Sequence, residues 1–371
     1  MKIPGLYVHI PFCRSKCPYC AFYSVASPSL IPRWTEALKK EISWYKGRFN
    51  RLDSLYFGGG TPTALDTAVV SNVMDYIFTH FDFDPDSEIS IEANPCDLAP
   101  EKISALRGMG FNRVSLGVQS FDDRTLSFLG RNHTVKQAEN ALTDLRAFGF
   151  ENISVDLIYG FEGQSKKEWT ETLKRAMAFQ PEHLSCYQLT IEKKTMFGRL
   201  VDKGVFQPLN EKAETDYFLT TSRFLEQRGY IHYEISSFAR ERAVFSRHNG
   251  KYWQHTPYLG LGPSAHSFCE SSRWWNVRSV RKYCEALEGG RAPVEGSENL
   301  SKEQLRYESI MLGLRTRDGV DQRRICHNHE FAAMLPGLQD SGFLVIDDGR
   351  IFPTRKGFLV ADYLAYCLDV P

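Results

Sequence analysis

The chain reads as an α/β protein, a partial parallel (β/α) barrel followed by a smaller α+β, winged-helix-like domain at the carboxyl end. Three observations predict this. A helical stretch closing on glycine plus an aromatic, then a short apolar run, occurs at Gly110-Phe111, Gly149-Phe150 and Gly229-Tyr230. Apolar runs alternate with amphipathic helical stretches through about residue 235. Beyond residue 300, helical patterns surround a single hairpin signal, Asp347-Asp348-Gly349.

Taken in order, a first strand is expected over 6–9, before a loop that opens at Pro11. A helix over 32–45 leads to a strand over 52–57, and a helix over 66–81 to a strand over 88–93. A helix over 100–109 precedes the first joint. The three joints place strands at 113–118, 153–158 and 231–235, because glycine supplies the left-handed conformation that ends a helix while the aromatic folds back onto the core. Helices over 134–148 and 165–179 and a strand over 183–189 complete the alternation. Such an order implies right-handed crossovers and a parallel sheet covered by helices. Residues 1–238 are thus read as the barrel. Residues 239–300 are read as an aromatic- and histidine-rich connecting segment, looped through Trp275, and residues 301–371 as the terminal domain. That domain should hold helices over 303–314 and 357–367 and strands over 344–346 and 350–352.

Composition excludes several functions. Lysine plus arginine and aspartate plus glutamate both number 45 in 371 residues, so no global field attracts nucleic acid, and a packing or lid role suits the terminal domain better than DNA binding. No apolar run approaches the roughly 20 residues that span a bilayer, and the N-terminus lacks a signal-peptide core. A cytoplasmic location is expected. Nine cysteines, an odd number clustered at one site, also suit a reducing compartment.

That cluster is Cys13-Arg14-Ser15-Lys16-Cys17-Pro18-Tyr19-Cys20. Three thiolates can hold three irons of a [4Fe–4S] cluster and leave the fourth open to a small molecule. Offsets of four and seven could also mark one buried helix face, but Pro18 would remove a helical hydrogen bond inside the run. Zinc is the competing metal, and it wants four ligands. A fourth from Cys96, Cys186, Cys269, Cys284, Cys326, Cys367 or a histidine stays open. Cys326-His327-Asn328-His329 reads as a solvated helix or loop.

Sites in parallel sheets collect at the carboxyl ends of strands. There the chain places Gly58-Gly59-Gly60-Thr61-Pro62, whose bare backbone admits a ligand, and three polar residues among apolar neighbours: Glu92, Gln119 and Asp156. Arg131 follows shortly. Together they describe a ring able to hold an amino acid, ribose hydroxyls and a charged ligand.

These residues resemble the radical S-adenosylmethionine (SAM) superfamily. The likeness is closer to the oxygen-independent coproporphyrinogen III oxidases and their relatives, through Tyr7-Val8-His9-Ile10-Pro11-Phe12-Cys13, Gly117-Val118-Gln119-Ser120-Phe121 and Asp156-Leu157-Ile158-Tyr159-Gly160, and it covers essentially the whole chain. The resemblance implies that Cys13, Cys17 and Cys20 hold the cluster. It also implies that Tyr7, Gly59 and Glu92 contact SAM, with Gly60 and Thr61 adjoining, and that Tyr19, Gln119, Arg131 and Asp156 match the oxidases' second SAM site. Two departures weigh against the oxidase: Phe22 stands where the oxidases carry a further cysteine, and their N-terminal extension has no counterpart before Tyr7. A positive match points elsewhere. His248-Asn249-Gly250-Lys251-Tyr252-Trp253 fits the HNxxYW pattern of the HemW-type heme chaperones, which implies heme binding through His248, Asn249, Tyr252 and Trp253. His255 and His266 are alternative iron ligands. Heme-accepting proteins are the implied partners, with room for a peripheral membrane association and a homodimer. The rival readings are a coproporphyrinogen III oxidase and a radical SAM enzyme that opens heme anaerobically.

Overall fold

The computed structural model describes residues 2–49, 51–325 and 329–368. Six strands run parallel in consecutive order: β1 (Gly5–Ile10), β2 (Leu52–Gly59), β3 (Phe83–Ala93), β4 (Arg113–Gln119), β5 (Asn152–Tyr159) and β6 (His183–Gln188). Their crossovers are α1 (Ile31–Trp44), α2 (Thr67–His80), α3 (Pro100–Gly108), the pair α4 (Asp123–Phe128) and α5 (Val135–Ala147), and α6 (Lys166–Ala178). Alternation along each strand divides the faces. On β1, Leu6, Val8 and Ile10 join Trp34, Leu38 and Ile42 of α1 in the main core, while Tyr7 and His9 turn to the opposite, inner face.

The helix ends follow local chemistry. Thr134 and Gln137 form a reciprocal capping box at the start of α5. Gly110 and Gly149 close α3 and α5 at φ +97° and +81°, with open space where a Cβ would stand, so the demand there is conformational.

After β6 come α7 (Met196–Asp202), α8 (Glu211–Glu226), β7 (Ile231–Glu234) and β8 (Ser237–Ala239). The strand expected at 231–235 exists, but it does not extend the parallel series: β8 pairs antiparallel with β6, and β7 lies outside it. With no helix between β7 and β8, the chain can only turn back on itself.

The stretch expected to loop through Trp275 is instead regular. α9 (Arg247–Trp253) leads to β9 (Tyr258–Leu261), which pairs parallel with β1. An antiparallel ladder of β10 (His266–Cys269), β11 (Ser272–Asn276) and, beyond α10 (Val280–Glu288), β12 (Val294–Asn299) widens the sheet from there. These strands, four to six residues long, are too short for their periodicity to stand out. A buried carboxylate anchors them: Glu41 of α1 accepts from Gly262 N at 2.8 Å, Asn276 Nδ2 at 2.5 Å and Tyr283 OH at 2.6 Å. The result is a twelve-stranded sheet, ordered β12-β11-β10-β9-β1-β2-β3-β4-β5-β6-β8-β7, with open edges among the described residues.

The terminal unit comprises α11 (Lys302–Gly313), β13 (Val320–Asp321), α12 (His329–Asp340), β14 (Leu344–Asp347), β15 (Arg350–Pro353), α13 (Arg355–Phe358) and α14 (Ala361–Leu368). Its own core gathers Ile310, Leu314, Val320, Leu344, Ile351 and Leu364. Asp348 and Gly349, at φ +43° and +69°, make the hairpin turn of β14 and β15. Arg317 N donates to Tyr233 O at 2.9 Å and Ile235 N to Arg315 O at 3.2 Å, tying the unit to the barrel edge. Cys326, His327 and Asn328 lie outside the described residues, and with them the polar cluster read there. Among the described residues, no helix is long and apolar enough to cross a membrane.

Candidate functional site

β1 delivers the chain into the cysteine loop at the carboxyl end of the sheet. The stem is closed by Val25 N donating to Pro11 O at 2.8 Å and Cys13 N to Val25 O at 3.1 Å. Cys20 N donates to Cys17 O at 3.1 Å, a four-residue turn with Pro18 at its second position, where a fixed φ is favourable. The second and third thiols are thus presented by a turn, and no helix forms.

Neighbouring strand ends grip this loop. Thr61 Oγ1 donates to Cys13 Sγ at 3.4 Å, and an Arg131 nitrogen donates to Cys17 Sγ at 3.5 Å. Arg131 also donates to Gly117 O at 2.9 Å, Arg14 pairs with Asp97 at 2.6 Å, and Phe197 N donates to Pro18 O at 3.0 Å. Burial pushes the half-buried Cys20 thiol upward, while a hydroxyl and a guanidinium are aimed at the sulfurs of Cys13 and Cys17. The Nε of Arg131 is buried without a partner. A buried unsatisfied donor costs about 1–3 kcal/mol, so this position suits an anionic group. Among the described residues no three His, Cys, Asp or Glu side chains converge on a single-ion site. A cubane does not ask for that convergence, since its thiolates bind separate irons.

The glycines after β2 are required by crowding. A Cβ on Gly59, whose φ is +107°, would lie 2.6 Å from the His9 ring, and one on Gly60 would lie 2.5 Å from Phe12 O. Gly59 N donates to Glu92 Oε2 at 3.1 Å, and Tyr56 OH donates to Glu92 Oε1 at 2.9 Å. Tyr7 stacks on Tyr56 at 6.1 Å between ring centres. Its hydroxyl lies 3.1 Å from His9 Nδ1, and His9 Nε2 lies 2.9 Å from Tyr23 O. A carbonyl can only accept, so Nε2 carries the proton and Tyr7 donates to Nδ1.

Asp156 accepts from Ser115 Oγ at 2.9 Å, with Ser154 Oγ at 3.4 Å. Burial raises Glu92 to about 7, with Asp156 adding repulsion, and burial raises Asp156 itself to about 6. Tyr187 is also held up by burial and by Asp156, yet 45% of its surface is exposed, which marks open space at the centre of the arc. Gln119 sits at φ +66° where the β4–β5 register shifts. A Cβ on Gly117 would lie 2.9 Å from Gln119 Nε2 and 3.3 Å from an Arg131 nitrogen, so the amide and guanidinium share one spot. Burial raises the Tyr19 phenol, and Arg131 opposes that shift.

α9 carries the HNxxYW segment behind this interior. His248 is fully buried, with Nδ1 3.0 Å from Ser54 Oγ and Nε2 3.0 Å from Tyr252 OH. Its ring stacks on Tyr56 at 5.2 Å, and burial pulls its imidazole down to about 3. Both ring nitrogens are thus engaged within the protein, and the ring has no exposed surface. Asn249 is half-buried, its backbone N–H capped by Ser246 Oγ at 3.3 Å. Trp253 lies under the Arg315 guanidinium, 5.5 Å from its ring centre, and lines a cavity of about 770 Å³ shared by α9 and α11.

Residues 7–176 match the family model of the radical SAM superfamily, and residues 300–360 match the HemN C-terminal domain. The chain is 34% identical to the protein named heme chaperone HemW from Mycobacterium tuberculosis, over 96% of this chain and 93% of that one. It is 32% identical to the protein of the same name from Bacillus subtilis, over 96% of each. The chain belongs to the HemW family. Among solved structures, coproporphyrinogen III oxidase (HemN) from Escherichia coli, described as a radical SAM enzyme, superposes with a TM-score of 0.86 at 26% identity, covering all of this chain and 90% of that one.

Within this family fold, the expected residues fall into two groups. Cys13, Cys17, Cys20, Thr61, Arg131 and Gln119 meet at the mouth, while Tyr7, Gly59, Glu92 and Asp156 line the interior. The structure adds residues that the motifs passed over. Tyr56, Ser115, Ser154 and Tyr187 complete the bonds to the two carboxylates or face them. Strand alternation was the available signal, since Tyr56 and Ser54 share the inward phase of β2.

Proposed function

We propose that this chain is a cytoplasmic heme chaperone that binds a [4Fe–4S] cluster, SAM and heme and delivers heme to acceptor proteins. The observation carrying this reading is the near-full-length similarity to proteins named heme chaperone HemW. Cys13, Cys17 and Cys20 would hold the cluster, and the open iron would take the amino and carboxylate groups of SAM. Tyr7, Gly59 and Glu92 would line that cofactor, with Gly60 and Thr61 beside it. Tyr19, Gln119, Arg131 and Asp156 are the candidates for a second. The arrangement supports the reading chemically: Arg131 offers donors to an anion, and Glu92 and Asp156 offer a cation two carboxylates whose ionisation it would itself favour.

The oxidase remains the rival, because the fold superposes on a coproporphyrinogen III oxidase over its whole length. An anaerobic heme titration of the cluster-reconstituted chain, followed by absorbance, tests the proposal. Saturable equimolar binding is expected. Replacing Cys17 with Ser should remove the cluster absorbance. Absence of specific binding would turn the reading to the oxidase.

A further inference from the structure

The heme-chaperone reading leaves the iron ligand unassigned, and the histidines narrow it. Eight of the ten histidines have described side chains. Seven of these rings, at positions 9, 80, 133, 183, 232, 248 and 255, carry a hydrogen bond. His255 is tied to Glu308 at 3.0 Å and lies flat on Phe268 at 4.4 Å. His266 is the exception, with an exposed side chain and a ring free of hydrogen bonds among the described residues.

Strand register places that ring. Tyr7 pairs with Gly260 on β9, Tyr258 with Phe268 and His266 with Trp275. Two steps from the Tyr258–Phe268 pair, His266 stands opposite Gly260, so Tyr7, Gly260, His266 and Trp275 form one cross-strand row. Residues in such a row share a face of the sheet. His266 and Trp275 therefore continue the inner surface beyond β1, at the carboxyl end where β9 turns into β10. Their rings stack at 5.9 Å and 26°.

The cysteine loop borders the same place. Arg278 donates to Ala21 O at 2.6 Å, Lys16 Nζ donates to Phe22 O at 3.0 Å, and Phe22 is 69% exposed. His9 lies within electrostatic reach of both Arg278 and His266. An unbonded imidazole, an indole, an exposed phenyl ring and two cations thus edge one rim of the barrel mouth. That set matches an amphipathic dianion with a central iron: imidazole for the metal, aromatic surface for the macrocycle, ammonium and guanidinium for the propionates. The cavity beside Trp253 has cations too, but no histidine, cysteine or methionine lines it among the described residues.

We propose that heme docks on this rim, with His266 as its iron ligand, Trp275 and Phe22 against the ring, and Lys16 and Arg278 toward the propionates. This inference rests on the heme-chaperone reading and locates its cargo beside the cluster loop. Phe22 follows Cys20 by two residues, so cluster binding would fix half of the heme site.

The test is an anaerobic heme titration of the reconstituted full chain as wild type, His266→Ala and Phe22→Ala, with cluster absorbance as the internal control. His266→Ala should weaken heme binding by at least about ten-fold, the least expected of a lost metal ligand. It should also shift the Soret band, and added imidazole should restore the wild-type position. Phe22→Ala should weaken binding without moving the band. Wild-type binding that His266→Ala does not alter, in affinity or in spectrum, overturns the ligand assignment while leaving the chaperone reading intact. Failure of the wild type itself to bind heme overturns both.

Discussion

Glu92 and Asp156 sit in the same interior with pKa values near 7 and 6, raised first by burial. Both lie above the ordinary carboxylate values, so their protonated forms favour the folded state at low pH, and that contribution is lost as pH rises through 6 to 7. Thermal unfolding of the SAM-free chain should therefore show stability falling between about pH 4 and pH 7, by up to roughly 3 kcal/mol for each carboxylate. A cation between the carboxylates reverses the sign, so added SAM should stabilise more at the upper end of that window. A flat profile would mean that the two carboxylates do not share this interior. Gln119 offers a separate test, because a left-handed glutamine stores strain. Gln119→Gly should leave stability equal or raised by up to about 1 kcal/mol while weakening SAM binding. A loss of stability with unchanged binding would assign the residue to the fold alone. The three cysteines were legible from spacing, and Glu92 and Asp156 from their oddness in apolar runs. The surroundings of His248 were not legible, because a motif records residue types, whereas its bonds to Ser54 and Tyr252 exist only once β2 and α9 meet.

At the scale of elements, β1 and β2 make the mouth together. Gly60 N donates to Ile10 O at 2.7 Å and Thr61 N to Phe12 O at 2.8 Å, so the glycine loop extends the pairing up to the cysteine loop. Gly60→Ala should cost about 1–3 kcal/mol, because its Cβ would meet the carbonyls of Phe12 and Ile10, which cannot swing away as a side chain would. Iron content per chain should fall alongside. Equal iron loading and an unchanged melting curve would separate the loop from the cluster site. The joints at Gly110 and Gly149 were readable because each combines a conformational requirement with a buried aromatic, Phe111 or Phe150. β9 to β11 were not, since four- and five-residue strands gain their stability from neighbours far away in sequence, including Glu41.

The whole molecule is an open parallel sheet whose spare edge is filled by an antiparallel ladder, with a small terminal unit against its other flank. Alternating strands and helices announced the parallel half. The ladder depends on a parallel pairing between β1 and β9, more than two hundred residues apart, which no local pattern encodes. That ladder brings His266 to the rim of the mouth, where the proposed heme site borders the cluster loop. A heme chaperone carries its tetrapyrrole and does not transform it. The direct measurement is mass analysis of the pigment recovered after the reconstituted chain is incubated anaerobically with reductant, SAM and either heme or coproporphyrinogen III. Heme should return intact from an equimolar complex, and coproporphyrinogen III should keep its propionates. Decarboxylated product at catalytic turnover, or a ring-opened tetrapyrrole, would contradict the chaperone reading.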